Sequence, residues 1–444
     1  MPDDGFVQFN KHIIEYMRGV YVLLLISLLG YTGRVSGQES VTITQCYEWA
    51  RANYPQIHQM GLIDQTERYS LSNVGKAWLP QLSVSGKASY QSDVTKLPLD
   101  GDKISSLLPG FEIPSLSKDQ YQVVAQVDQT IWDGGSTRSA RALTRAEAIA
   151  NREQLESELY ALNDRVNQIY FGCLLQDELI RQNALLQKEL QVNIERIEAM
   201  MENGVANQSD LESMEVELLN ARQNEIELRA SRTVYRQMLA TFINKPLTDQ
   251  VVLKTPESPE RSLSTQINRP ELRALDAKSE WIETQNKQVT AGLMPRIGAF
   301  VQGGYGRPGL NMLEDSFEPY YVAGVRLSWN LGKLYTLKND RRKIEVSRRQ
   351  IDVQRETFLF NTRLQLLQQN TEIKKMTDLM RADDDIIRLR TSIKQAAEVK
   401  LENGVISVTD LIREINAEDM ARQTAAAHRV QRLMTIYNYM YTTN

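Results

Sequence analysis

The sequence predicts a mixed α and β fold in two structural repeats, with long helices carrying most of the chain and four β-strands of membrane type. Three observations predict it. First, Asn203-Gly204-Val205, four residues, then Asp210-Leu211 returns 200 positions later as Asn403-Gly404-Val405, four residues, then Asp410-Leu411. That interval far exceeds a solenoid period of about 20–50 residues, so it marks a duplicated half. Second, the runs leading into these motifs, 137–203 and 333–403, contain no proline and only Gly172 between them as a glycine before the final turn. Third, four stretches alternate apolar and polar residues over about ten positions, the length of a tilted transmembrane strand.

The duplication extends beyond the motif. Asn53-Tyr54-Pro55-Gln56-Ile57 matches Asn268-Arg269-Pro270-Glu271-Leu272, and Pro55 to Pro80 spans 25 positions, as does Pro270 to Pro295. Ile131-Trp132-Asp133-Gly134-Gly135 pairs with Ser328-Trp329-Asn330-Leu331-Gly332. The expected division is a signal peptide over 1–37, a first repeat over 38–243, a linker over 244–267 and a second repeat over 268–444.

Composition narrows the function. The net charge of -4 gives no footprint for nucleic acid. Cys46 and Cys173 are the only cysteines, too few for a disulfide framework or a four-thiolate zinc site, and read as buried apolar residues. The three histidines, His12, His58 and His428, form no metal spacing, and no nucleophile motif or phosphate loop accompanies them. The sequence therefore reads as a non-enzyme without a cofactor.

Element by element, the chain opens on Met17-Arg18, an apolar run from Gly19 to Tyr31, and the small residues Val35-Ser36-Gly37. This is the pattern of an export signal, with a mature start near Gln38 and either Met1 or Met17 as the first codon. Residues 42–77 read as helix, broken locally at Pro55. After Pro80, Leu82, Val84, Gly86, Ala88 and Tyr90 share one face of a strand. A polar loop over 92–119 leads to a second strand with Tyr121, Val123, Ala125, Val127 and Ile131 on its apolar side. After Pro295, Ile297, Ala299, Val301, Gly303 and Tyr305 repeat the pattern, followed by Tyr321, Ala323, Val325, Leu327, Trp329 and Leu331. Tyr90, Tyr305 and Tyr321 stand at one end of the strands and Trp132 and Trp329 at the other, as interfacial aromatics do. Four strands cannot close a barrel, so other copies of the chain must complete one.

Each long run spans roughly 100 Å as helix and must bury an apolar stripe in a coiled coil. Leu179, Asn183, Leu186, Leu190 and Asn193 give one stripe, and Ile386, Leu389, Ile393, Ala397 and Leu401 another. Gly204 and Gly404 stop these helices as left-handed caps. Ser209 and Thr409 are the expected N-caps of the returning helices, with Ser209 and Glu212 fitting a capping box. The geometry is a rod in which one long helix lies along two shorter ones placed end to end. Asp383-Asp384-Asp385 and the basic set Arg341, Arg342, Arg348 and Arg349 are expected on solvated faces.

The order helix, strand, strand, long helix, glycine turn, helix, given twice, resembles the TolC-like outer-membrane efflux and secretion channels over nearly all of residues 40–444. The resemblance implies a homotrimer with one twelve-stranded barrel in outer-membrane lipid and a helical periplasmic tunnel. It also implies a passive duct, driven by an inner-membrane transporter of RND or ABC type through a periplasmic adaptor. The adaptor would grip the tips at Asn203, Gly204, Val205, Asp210 and Leu211 and at Asn403, Gly404, Val405, Asp410 and Leu411. In related channels, acidic residues after the second-repeat glycine ring the closed mouth, and Asp410 matches the first of them. The second is Arg413 here, with Glu414 beside it, so the gate departs from a purely acidic ring; a gate arginine is replaced by Ile406. The rival reading is a periplasmic coiled-coil scaffold, which explains the helices but not the aromatic-ended strands. Substrate is left open, because specificity would rest with the pump.

Overall fold

The computed structural model describes residues 40–95, 116–258, 264–311 and 314–444. The expected signal peptide and most of the loop over 92–119 lie outside the described residues. The chain enters through a two-residue strand, β1 (Ser40–Val41), and helix α1 (Ile43–Asn53), then a 3-10 turn over Pro55–His58 and α2 (Gln59–Gly75). Thr42 and Gln45 close a capping box at the start of α1, and Pro55 sits at the first position of the turn, where its missing N–H costs nothing.

Four long strands follow the sequence expectation in number and order. β2 (Gln81–Tyr90) pairs antiparallel with β3 (Asp119–Trp132). After the helices of the first repeat, β5 (Arg296–Arg307) pairs antiparallel with β6 (Glu318–Ser328), and the hairpins join through β3 and β5. The register aligns the apolar faces across the whole sheet. Val84 stands opposite Ala125, Ala125 opposite Gly303, and Gly303 opposite Tyr321. On the other face Lys87 meets Gln122, and Gln126 meets Gln302. Because side chains alternate with period two, these registers gather apolar groups on one side and polar groups on the other. One detail departs from simple alternation. A bulge between Thr130 and Trp132 leaves Ile131 as the extra residue and sets Trp132 opposite Ile297, on the apolar face.

The helices form the rest. α3 (Ser136–Tyr160) and α4 (Leu162–Glu202) replace the single expected helix, interrupted at Ala161. The break lies where the stacked short helices meet: buried Leu155, Leu159 and Leu162 pack against Tyr54, Ile57, Met60, Ile63 and Phe242. α5 (Gln208–Ile243) returns along α4 and ends at Asn244, in the left-handed conformation at φ 50°. A short strand, β4 (Val252–Leu253), pairs parallel with β1. α6 (Pro270–Ala291) leads to β5, and after β6 the helix α7 (Lys333–Glu402) runs unbroken for 70 residues before α8 (Val408–Thr443). α7 packs on α6 and then on α8, while α3 and α4 pack on α2 and α5. Each long helical run thus lies along two shorter helices.

The β1–β4 pair was not visible in the sequence pattern because two residues carry no periodicity. It is held from the helical side: Tyr170 Oη donates to Val41 O at 2.9 Å and Lys254 O at 2.7 Å, and Arg236 donates to Thr248 O at 2.7 Å and Val251 O at 2.8 Å. The core beneath it includes Cys46, Cys173, Val166, Phe171 and Leu239. Both cysteines are free thiols with 0% exposure, and burial pushes each up to about 12, so neither is a reactive thiolate.

Candidate functional site

The two tips are built by the same local chemistry. At the end of α4, Gly204 adopts φ 73°, its N–H donates to Met201 O at 2.9 Å, and Val205 N–H donates to Met200 O at 2.8 Å. At the end of α7, Gly404 adopts φ 67°, with Gly404 N–H to Leu401 O at 2.9 Å and Val405 N–H to Lys400 O at 2.8 Å. This double bonding is a Schellman cap, and the left-handed residue it requires is met without strain by glycine. Asn203 and Asn403 each turn their side-chain amide back to the carbonyl four residues earlier, at 2.8 and 2.7 Å.

The N-caps fall two residues before the expected ones. Asn207, not Ser209, caps α5: its Oδ1 accepts from Asp210 N at 3.1 Å while Asp210 Oδ2 accepts from Asn207 N at 3.1 Å. Ser407, not Thr409, caps α8, with Asp410 N to Ser407 Oγ at 3.2 Å and Ser407 N to Asp410 Oδ2 at 3.2 Å. The aspartates are therefore N3 residues closing capping boxes, which the spacing Asn-x-x-Asp and Ser-x-x-Asp encodes directly. Asp410 is held below the usual carboxylate range by the Ser407 hydroxyl and backbone.

Around this frame the tip residues divide. Leu411 is fully buried and Leu211 half-buried in a cluster with Leu190, Ile197, Met214, Leu401 and Ile415 that joins the two helical hairpins. Val205 and Val405 project outward, 58% and 67% exposed. The structure brings Asp410, Arg413 and Glu414 together: Arg413 lies 3.4 Å from Asp410 Oδ1 and 3.3 Å from Glu414 Oε1, and Arg390 reaches Glu414 at 3.4 Å. Both carboxylates face guanidinium groups, so this surface is a mixed-charge patch.

Further up the hairpin interface lies a buried polar group that sequence reading missed. Glu418, 2% exposed, accepts from Thr391 Oγ1 at 2.5 Å and pairs with Lys394 at 2.7 Å and Arg422 at 2.5 Å. Lys394 also pairs with Glu189 of α4, tying the first hairpin to the second. Burial alone would raise Glu418, but the hydrogen bonds from Lys394, Thr391 and Arg422 outweigh it and hold the carboxyl at about 2. Asp419, beside it, is pushed up to about 6, chiefly by burial. The only sequence signal was a set of charges within otherwise apolar helix faces. The aspartate run also splits: Asp383 is buried, 2.7 Å from His428 Nδ1, while Asp384 and Asp385 are solvated and Asp385 pairs with Arg388. Burial of Asp383 corrects the expectation of a wholly solvated face, because α8 packs over this side of α7.

At the sheet, Tyr90, Tyr305 and Tyr321 stand at one end with 76%, 53% and 79% exposure. Phe317 joins them, stacking on Tyr121 and Tyr305 at 6.4 and 5.7 Å between ring centres. Trp132 and Trp329 stand at the other end, and Trp329 Nε1 donates to Leu293 O at 2.9 Å.

Residues 46–245, which hold α1 to α5 with β2 and β3, match the family described as outer membrane efflux protein. That match covers the first repeat, a little under half of the chain. The fold of the chain is shared with TolC-like channels of known structure. The CusC structure, described as showing conformational changes accompanying folding and transmembrane channel formation, aligns at TM-score 0.64 and 14% identity over 90% of this chain and 92% of that one. The outer membrane protein VceC from Vibrio cholerae aligns at TM-score 0.60 and 12% identity over 90% and 95%. The MtrE outer membrane channel of Neisseria gonorrhoeae, in its open state, aligns at TM-score 0.60 and 14% identity over 90% and 88%. Among curated proteins, none matches the sequence. No helix among the described residues is long and apolar enough to cross a membrane.

Proposed function

We propose that this chain is an outer-membrane efflux channel, three copies of which close a twelve-stranded barrel in the outer membrane and continue it as a helical tunnel in the periplasm. The assembly is a passive exit duct, driven by an inner-membrane RND or ABC transporter through a periplasmic adaptor. One observation carries this reading. Among the described residues nothing covers the apolar sheet face, with Leu82 at 72%, Val84 at 69% and Val325 at 70% exposure, and nothing pairs with the edges β2 and β6. In water that face and those edges would aggregate; in lipid, closure with further copies satisfies both. The helices supply matching seams. Val346, Val353, Phe360 and Leu367 recur every seventh residue along α7, all more than half exposed. A heptad stripe without a partner among the described residues fits a neighbouring copy.

In this reading the exposed Val205 and Val405, on rigid glycine-capped tips, dock the adaptor. Asp410, Arg413 and Glu414 face the mouth, where paired charges select cations less strongly than an acidic ring would. The test is conductance of the detergent-extracted protein in planar bilayers together with its oligomeric mass. Trimers that conduct support the duct. A chain that stays soluble and monomeric without detergent and never conducts is a scaffold, and the duct reading falls.

A further inference from the structure

Between the start of α3 and the end of α6 lies an open groove of about 610 Å³, lined by Gly134, Arg138, Ala142, Lys287, Ala291 and Met294 among others. It sits at the end of the sheet marked by Trp132 and Trp329. Gly134 follows Trp132 by two positions, Met294 precedes the first residue of β5 by two, and Trp329 is bonded to Leu293 next door. Arg138 and Lys287 are both exposed, and neither forms an ion pair among the described residues. The nearest acid on α6, Glu283, is already taken by Arg348 at 3.0 Å and by Asn286 at 3.1 Å. Two cations therefore line a groove with no anion among the described residues to meet them. The opposite character is also present: Met294, 42% exposed, with Ala142 and Ala291, gives the same groove an apolar wall.

The surroundings reinforce the charge. The first ten residues of α3, Ser136–Arg145, hold three arginines and no acid, with Arg138, Arg141 and Arg145 along one helix stripe. The first eleven of α7, Lys333–Lys343, hold five basic residues and one acid. This concentration stands in a chain of net charge -4, at the one level where strands give way to helices. A basic surface directly beside an apolar band meets the anionic headgroups of a bilayer leaflet, within the Debye length over which that attraction acts.

We propose that this groove binds the phosphate of an anionic phospholipid of the periplasmic-side leaflet, Arg138 and Lys287 taking the phosphate and Met294 lying beside the glycerol and acyl chains. The inference rests on the membrane reading given above. It is tested with the full protein in vesicles of phosphatidylcholine and phosphatidylglycerol in equal amounts, extracted gently and examined by native mass spectrometry for retained lipid. The wild type is expected to retain phosphatidylglycerol preferentially. Arg138→Gln with Lys287→Gln should reduce that preference by about 25-fold, from about fivefold per basic group. The charge-preserving pair Arg138→Lys with Lys287→Arg should keep it. Equal retention by the wild type and the glutamine pair, or no preference in the wild type, overturns the proposal. Inorganic phosphate that displaces the lipid completely at low millimolar concentration would mark a free-anion site and also overturn it. Conductance in pure phosphatidylcholine is read in parallel. If the glutamine pair conducts there but loses the lipid preference, the proposal is supported; if the wild type neither inserts nor conducts, the membrane reading has failed and the leaflet assignment falls with it.

Discussion

Gly204 and Gly404 stand in open space, where an added Cβ meets no atom within 4 Å, so their cost of substitution is conformational alone. Replacing either with alanine forces an L-residue into the left-handed region, at about 1–2 kcal/mol. Denaturant melts of Gly204→Ala and Gly404→Ala should show that loss singly and close to its sum in the double variant. The buried Lys394–Glu418 pair carries a larger stake. Lys394→Met leaves Glu418 buried beside Arg422 and Thr391 only, and should cost about 3–5 kcal/mol in the same assay.

The two neighbouring carboxylates give opposite pH responses. Glu418 is lowered from 4.5 to about 2, so its contribution is complete above 4.5 and is lost as pH falls toward 2. Asp419 is raised from 3.8 to about 6, so its ionisation penalises the folded state progressively as pH rises between those values. The groups acting on Asp419 are Gln423, Glu189, Arg422 and Glu418. Asp419→Asn should therefore raise the thermal midpoint at pH 7 and flatten its slope between pH 4 and 6; an unchanged slope would place the titration elsewhere.

At the scale of elements, the sheet and the α7 stripe make separable predictions. Val84 lies mid-strand on the apolar face, opposite Ala125. Val84→Arg should destabilise the folded protein in bilayers by about 2–4 kcal/mol, whereas Ser85→Arg on the polar face should cost far less. Measured by urea unfolding in vesicles, equal effects at both sites would contradict the sidedness of the sheet. On α7, Val353→Asp with Phe360→Asp places two charges on the exposed heptad stripe. Light scattering in detergent should show the trimer replaced by monomer while circular dichroism keeps its helical signal. Most of these elements were legible beforehand, because strand alternation and helix length depend on local chain geometry. The N-caps fall at Asn207 and Ser407 because, although Ser209 and Thr409 are good caps in isolation, the Asn-x-x-Asp and Ser-x-x-Asp spacing lets Asp210 and Asp410 bond back and close a full capping box. The break at Ala161 was illegible: it follows from what packs over Leu159 and Leu162.

At the scale of the molecule, four strands whose apolar face no described residue covers make a sheet that a single chain does not close, beside 70 residues of unbroken helix. Its prediction is concerted: assembly, membrane insertion and conductance should appear together and be lost together in the α7 double variant. The sequence by itself determined the duplication, the strand faces, the helix lengths and the glycine turns, since each depends on residues near one another in the chain. Tertiary structure alone decided the β1–β4 clasp around Tyr170, the burial of Asp383 and Glu418, and the meeting of Arg138 with Lys287 across one groove. Those features join residues far apart in sequence, and their energies come from removing charge and surface from water, which no local pattern records.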